Sequence, residues 1–155
     1  MVAIRVGEVR LVIAAAPSDL ARHPRIHEPD DLAKQQIIAF SQFGVDSWSF
    51  PPVDGSTIPR TVQFMPRLVV NTVRAAVASA IEGHGLTRLL SYQVAEHVRD
   101  GRLRILLRSD EHAPLPVHVV TPQGRLSVPK VRAFVDFVVA PLRAQFARLA
   151  ADAGT

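Results

Sequence analysis

Residues 67–90 read Arg67-Leu-Val-Val-Asn-Thr-Val-Arg-Ala-Ala-Val-Ala-Ser-Ala-Ile-Glu-Gly-His-Gly-Leu-Thr-Arg-Leu-Leu90, and this stretch decides the fold class. Arg67–Val70 is a short apolar run suited to a strand. Asn71 and Thr72 follow with side-chain oxygens able to cap a helix start. Val73, Ala76, Val77, Ala80 and Ile81 then recur at the i, i+3, i+4, i+7, i+8 spacing of a buried helical stripe. Gly83 stands where a helix end favours a left-handed residue, and Gly85–Leu90 is a second strand-length apolar run.

Working outward, the same alternation continues. Ser91 can cap a second helix with Val94, Ala95 and Val98 on its apolar side, ending at Gly101. Leu103, Ile105 and Leu107 alternate with Arg102, Arg104 and Arg108, the period of a half-buried strand with a solvated basic face. After the loop Ser109–Pro116 comes a strand, Val117–Thr121. Ser127 as cap and Pro129 at the first turn open a long helix with the stripe Val131, Phe134, Val135, Val138, Leu142, Phe146 and Leu149. Pro141 is expected to kink it, and Ala150–Thr155 reads as a frayed tail.

Upstream, Val9–Ala15 is a buried strand around Arg10, followed by short helical turns at Asp19–Arg22 and from Pro29. Ile37–Phe40 and Trp48–Phe50 are strands, and the latter should pair as a hairpin with Thr57–Met65 across the Asp54-Gly55 turn. Strand–helix–strand–helix–strand order predicts an α/β sheet with parallel crossovers.

Composition narrows the function classes. The chain has 155 residues, 48% of them apolar, and a chain of that size can bury a core without disulfides or structural metal. It has no cysteine, which excludes thiol nucleophiles, Cys-ligated zinc and iron–sulfur clusters. A net charge of +4 invites a nucleic-acid reading, but the surplus is scattered and aromatics, at 6%, are too few for stacking platforms. No apolar run approaches the ~18 residues of a membrane helix. Arg5, Glu8 and Arg10 make the N-terminus unlike a signal peptide, so the expected compartment is the cytoplasm.

The catalytic inventory is thin. There is no Gly-x-Ser-x-Gly elbow and no phosphate loop, and Gly83-His84-Gly85 lacks the third glycine of a dinucleotide fingerprint. His23 and His27 have metal-like spacing, but Pro24 and Pro29 argue against the helix that would align them. The expectation is therefore a non-enzyme with no metal and no cofactor. Small hydrogen-bonding residues do follow three strands, at Phe40-Ser41, Val70-Asn71-Thr72 and Leu90-Ser91. In open α/β sheets that rim binds ligands, and helix N-termini there suit a carboxylate or other anion. Helix capping alone also accounts for each of these residues.

These residues carry a resemblance. The order Arg67-Leu-Val-Val-Asn-Thr, Ala75-Ala and Ala80-Ile-Glu-Gly-His-Gly-Leu-Thr-Arg-Leu-Leu resembles the effector-binding domain of LysR-type transcriptional regulators. The likeness continues through Gly101-Arg102-Leu103, Pro116-Val117-His118-Val119-Val120 and Val131-Arg132-Ala133-Phe134-Val135, and upstream through Gly7-Glu8-Val9-Arg10, Asp31-Leu32 and Ile38-Ala39-Phe40-Ser41. Leu90 stands where the family usually has proline. The resemblance implies two lobes like those of type 2 periplasmic binding proteins, with an inducer held in the cleft between them. It divides the chain into residues 1–16, a first-lobe remnant and crossing strand; 17–106, a complete second lobe; and 107–155, a crossing segment returning to the first lobe with the C-terminal helix.

The ligand-binding residues so implied are Phe40, Ser41, Asn71, Thr72, Gly85 and Thr87, and the ligand is a small organic effector such as a carboxylate. The implied assembly is a dimer or tetramer, without membrane contact. The family's winged helix-turn-helix, linker helix and opening half of the first lobe do not occur in these residues, so DNA contact would come only from outside this chain. The alternatives are a stand-alone solute-binding domain and a non-functional regulator remnant.

Overall fold

A computed structural model of the chain describes residues 1–154. In chain order it runs β1 (Val2–Val9), β2 (Leu11–Ala15), α1 (Pro17–Arg22), β3 (Ile37–Phe40), β4 (Ser47–Phe50), β5 (Arg60–Gln63), β6 (Leu68–Val70), α2 (Val73–Ile81), β7 (Leu86–Leu90), α3 (Ser91–Arg99), β8 (Arg104–Leu106), β9 (Leu115–Thr121) and α4 (Pro129–Asp152). Single 3-10 segments lie at Pro29–Lys34, Arg108–Asp110 and Arg125–Ser127.

Five strands form the central sheet in the order β6-β3-β7-β2-β8. The expected crossovers are present: β3 is parallel to both β6 and β7. The sheet is mixed, because β2 runs antiparallel to β7 and β8. Alternation along each strand sorts side chains to two faces. Val12, Ala14, Ile38, Phe40 and Leu89 meet Ala76, Val77 and Ala80 of α2 and Val94 of α3. On the other face, Ile13, Ala15, Ile37, Ala39 and Leu86 meet Leu32, Trp48, Phe50, Val62 and Phe64. Trp48, Phe50, Val62 and Phe64 come from the β4–β5 hairpin, which pairs antiparallel as its turn residues predict.

Two glycines set close approaches. Gly85 has φ +148, and a Cβ there would collide with the Gln36 carbonyl, so β7 can start beside β3 only with glycine at this point. Gly7 in β1 lies under the Phe146 ring of α4, leaving no room for a Cβ.

Outside the central sheet, β1 pairs antiparallel with β9 as a two-stranded ribbon, and α4 packs on β1. Both β9 and α4 lie where the sequence pattern predicts them, whereas Val2–Val9, for which no strand is expected, forms β1. Three other expectations are corrected. Ser91 is not the cap of α3: Leu90 holds that position, its N–H donating to Gln93 Oε1 at 2.9 Å. Val128, not Ser127, precedes α4, and the Ser127 hydroxyl donates to the Gly124 carbonyl. The segment from Ala150 is not frayed, because the helix runs through Asp152 and Ala153 is 1% exposed. The apolar stripe of α4 is only partly covered: Val135 is buried, whereas Phe134 is 62% exposed.

Candidate functional site

The parallel strands β3, β6 and β7 end on one edge of the sheet, where β2 begins, since Leu11 pairs with Leu90. Phe40, Ser41, Asn71 and Thr72 come together on this edge. The Ser41 N–H donates to the Val70 carbonyl at 2.9 Å, which joins the loops after β3 and β6. Phe40 is buried beneath them, edge-on to Phe43 with ring centroids 5.4 Å apart. Ser41 and Asn71 are exposed, and neither side chain bonds to another described residue. Thr72 is committed locally: its Oγ1 accepts the Ala75 N–H at 3.2 Å and caps α2.

Gly85 and Thr87 do not join this group. Leu86 donates to the Gln36 carbonyl, so Gly85 sits level with Gln36 at the opposite end of β3. Four residues at ~3.3 Å each put it about 13 Å from the rim. Thr87 lies inside the sheet between Ala14 and Ile38, fully buried, with its hydroxyl unpartnered.

Beside the rim the geometry gathers charged residues that the sequence reading passed over. Arg10 lies between β1 and β2. It exchanges hydrogen bonds with Ser91, whose N–H donates to the Arg10 carbonyl at 2.7 Å and whose hydroxyl accepts the Arg10 N–H at 3.0 Å. Its guanidinium grips both oxygens of Glu111 at 2.9 and 3.0 Å and donates to the Ala153 carbonyl at 3.1 Å. Arg108 donates to that same carbonyl, fastening the end of α4 to the central sheet. Arg60 pairs with Asp110 at 2.6 Å.

Arg88, on β7, is 4% exposed and packed over the Trp48 and Phe50 rings at 5.8 and 4.9 Å. It donates to the Ser49 carbonyl at 2.8 Å, and its Nε–H has no acceptor. Burial pulls this guanidinium down to about 10. Burial also pushes the Glu111 carboxyl up, against the opposing pull of Arg10 and Arg108. The signals for Arg10 and Arg88 were present in the sequence, since each interrupts an otherwise apolar strand run. For Arg88 the same run also fitted a strand with one solvated position.

Leu107 links β8 to the 3-10 segment that carries Asp110, and it adopts left-handed geometry with φ 54. A non-glycine residue held there costs roughly 1–3 kcal/mol and persists only where its surroundings fix it. Its side chain packs against the Ile13 and Phe50 cluster.

The rim offers exposed hydroxyl and amide groups beside a helix N-terminus, an arrangement suited to hydrogen-bonding a small polar ligand. Among the described residues, no group of three His, Asp or Glu side chains converges for a metal. His23 instead turns to Asp19, with Nδ1 3.0 Å from the carboxylate. No helix among those described is long and apolar enough to cross a membrane.

Comparison with known proteins places these features in context. The family model described as LysR substrate binding domain matches residues 1–143. A curated HTH-type transcriptional regulator of Xanthomonas campestris pv. campestris is 31% identical over 147 residues, covering 92% of this chain and 42% of the relative. The HTH-type transcriptional regulator PtxR of Pseudomonas aeruginosa is 28% identical over 135 residues, covering 86% and 42%. Among solved structures, full-length AphB, a virulence activator of Vibrio cholerae, superposes with TM-score 0.76 at 22% identity, covering 91% of this chain and 48% of that one. CrgA of Neisseria meningitidis gives 0.72 at 21%, covering 91% and 47%. The chain thus spans less than half the length of these relatives.

Proposed function

The chain belongs to the LysR substrate-binding domain family, and from that premise we propose that it is the effector-sensing part of a LysR-type transcriptional regulator. The family is one of regulators rather than enzymes. The observation that carries this reading is the shared edge at which Phe40, Ser41, Asn71 and Thr72 meet, beside the point where Arg10 leads from β1 into the central sheet. A small polar effector, such as a carboxylate, is bound there. The division into residues 1–16, 17–106 and 107–155 makes this edge the second lobe's wall of an inter-lobe cleft.

Binding changes transcription only if the ligand favours one lobe arrangement over another, so the edge nearest the crossing strands is where such a preference is most directly expressed. In the whole regulator a winged helix-turn-helix outside this chain reads the operator, the protein acts in the cytoplasm where its DNA lies, and it assembles as a dimer or tetramer. Gly85 and Thr87 serve this function through the sheet's framework rather than by touching the effector.

The test is Asn71→Ala in the full-length regulator with a promoter reporter. Asn71 is exposed and makes no side-chain bond, so the change leaves stability within about 0.5 kcal/mol. The half-maximal inducer concentration is expected to rise roughly tenfold, the equivalent of one hydrogen bond of ~1.4 kcal/mol. An unchanged dose–response curve with normal protein levels rules out this edge as the effector site.

A further inference from the structure

A small cavity lies beneath the loop that carries Asp110 and Glu111, lined also by Leu11, Ile13, Phe50 and Arg88, with room for roughly one occupant the size of a water molecule or chloride ion. Arg88 is the one guanidinium that lines it, and the two lining carboxylates, Asp110 and Glu111, are each held by an arginine behind them. Arg60 is neutralised by Asp110 at 2.6 Å and Arg10 by Glu111 at 2.9 Å. Arg88, the most deeply buried, has no carboxylate within ion-pairing distance among the described residues, and its Nε–H is buried without an acceptor. Arg10, Arg60 and Arg88 set against Asp110 and Glu111 leave the charge of Arg88 without an offset, and Arg108, which also pulls on Glu111, adds to the positive side.

Removing an unpaired ion from water costs several kcal/mol. The contacts of Arg88 with Trp48 and Phe50 return roughly 0.5–2 kcal/mol, and its bond to the neutral Ser49 carbonyl adds no charge compensation. A water molecule in the cavity accepts the Nε–H but leaves the charge uncompensated. A monovalent anion accepts the same hydrogen and neutralises the excess. The two carboxylates lining the cavity do not exclude it, because each is already engaged by its own arginine.

We propose that this cavity is a binding site for a single small monovalent anion of halide size, held by Arg88 beneath the Asp110–Glu111 loop. The site is separate from the effector edge and holds whether or not that edge binds a carboxylate. It joins the first crossing, through Leu11 and Arg10, to the second, through Leu106–Glu111. Occupancy accordingly stiffens the connection between the central sheet and the β1–β9 ribbon.

The test is thermal unfolding of the 155-residue chain at constant ionic strength, exchanging sodium gluconate for sodium chloride or bromide. The wild type is expected to gain about 3 °C between 5 and 200 mM halide. Arg88→Met removes the unpaired charge for an apolar group of similar length, so this variant is expected to fold and to lose the halide response. Asp110→Asn raises the cationic excess while retaining an acceptor for Arg60, and is expected to bind halide several-fold more tightly. Halide binding to the wild type is also read directly by chloride-35 NMR line broadening, which needs no variant to fold. No broadening, a wild type indifferent to halide, or an equal response in Arg88→Met overturns the proposal.

Discussion

Glu111 shows how a residue can be tightly bonded and still be strained electrostatically. Arg10 holds both of its oxygens, yet burial outweighs that attraction and raises its carboxyl above the ordinary 4.5. Between the unfolded and the raised folded value, the folded chain keeps a proton that the unfolded chain has released. This group's contribution to stability therefore declines as pH rises from about 4.5 through the folded value. Glu111→Gln cannot titrate and keeps an acceptor for Arg10. In chloride-free urea titrations, the wild type's stability relative to this variant is expected to fall between pH 4 and pH 7, and a pH-independent difference contradicts the assignment. Asp31 and Asp100 shift the other way, lowered by the His27 backbone N–H and by Arg99, but both are retained in the variant and cancel in the difference. None of this was legible in the sequence, where Glu111 stood in a presumed loop. Its partner is 101 residues away, and no local periodicity reports a contact of that separation.

Among the elements, legibility follows the range of the forces that form them. The helix α2 was readable from residues 71–83 because its cap, stripe and terminating glycine are local chemistry, and Thr72 caps it as expected. The hairpin β4–β5 was readable for the same reason, through its turn. Ser91 and Ser127 looked equally like caps but are used elsewhere, Ser91 by the Arg10 backbone and Ser127 by Gly124. A hydroxyl before a helix has several local acceptors and donors open to it, and tertiary contacts decide among them. Strand β1 escaped because half of its residues face solvent or α4 and its partner β9 begins more than a hundred residues later.

At the candidate site the strand ends pointed to Ser41, Asn71 and Thr72, whereas Gly85 and Thr87 entered through the family resemblance and lie at the other end of β7 and inside the sheet. At this scale Thr72 separates capping from ligand contact. Thr72→Ala is expected to cost about 1 kcal/mol in chemical denaturation, whereas Thr72→Ser keeps the cap and stays near wild type. If effector response falls in the Ala variant and recovers in the Ser variant in step with stability, Thr72 acts through the helix. If both variants lose response, its methyl group meets the ligand.

Across the whole molecule, the central sheet is covered on both faces, but the β1–β9 ribbon and α4 are not. Phe134 and Phe137 stand one helical turn apart on α4, 62% and 76% exposed, with Leu115 and Val120 of β9 at 51% and 58%. Isolated apolar side chains at a surface are ordinary, but Phe134 and Phe137 adjoin on one face of α4, and paired exposed rings are the kind of surface that associates. The periodicity places Phe134 in the apolar stripe of this helix. Its spacing was read correctly, but spacing identifies an apolar face and does not supply the surface that covers it.

The opposite end of α4 is tied down: Arg10 and Arg108 bind the Ala153 carbonyl, and Arg99 lies 3.6 Å from Asp152. With its body packed on β1 and its last turn tied to the central sheet, α4 leaves Phe134 and Phe137 facing outward. Burying two phenylalanine side chains on association is worth roughly 1.5–3 kcal/mol each, enough to shift a weak self-association by one to two orders of magnitude per side chain. The 155-residue chain is accordingly expected to sediment as a concentration-dependent mixture of monomer and higher species at about 100 μM. Phe134→Glu with Phe137→Glu is expected to leave unfolding temperature within about 2 °C, since neither ring is buried in the fold, and to shift the sedimentation profile to monomer. Association unaffected by the double change assigns self-contact to another surface, and a large fall in unfolding temperature shows that these rings support the fold itself.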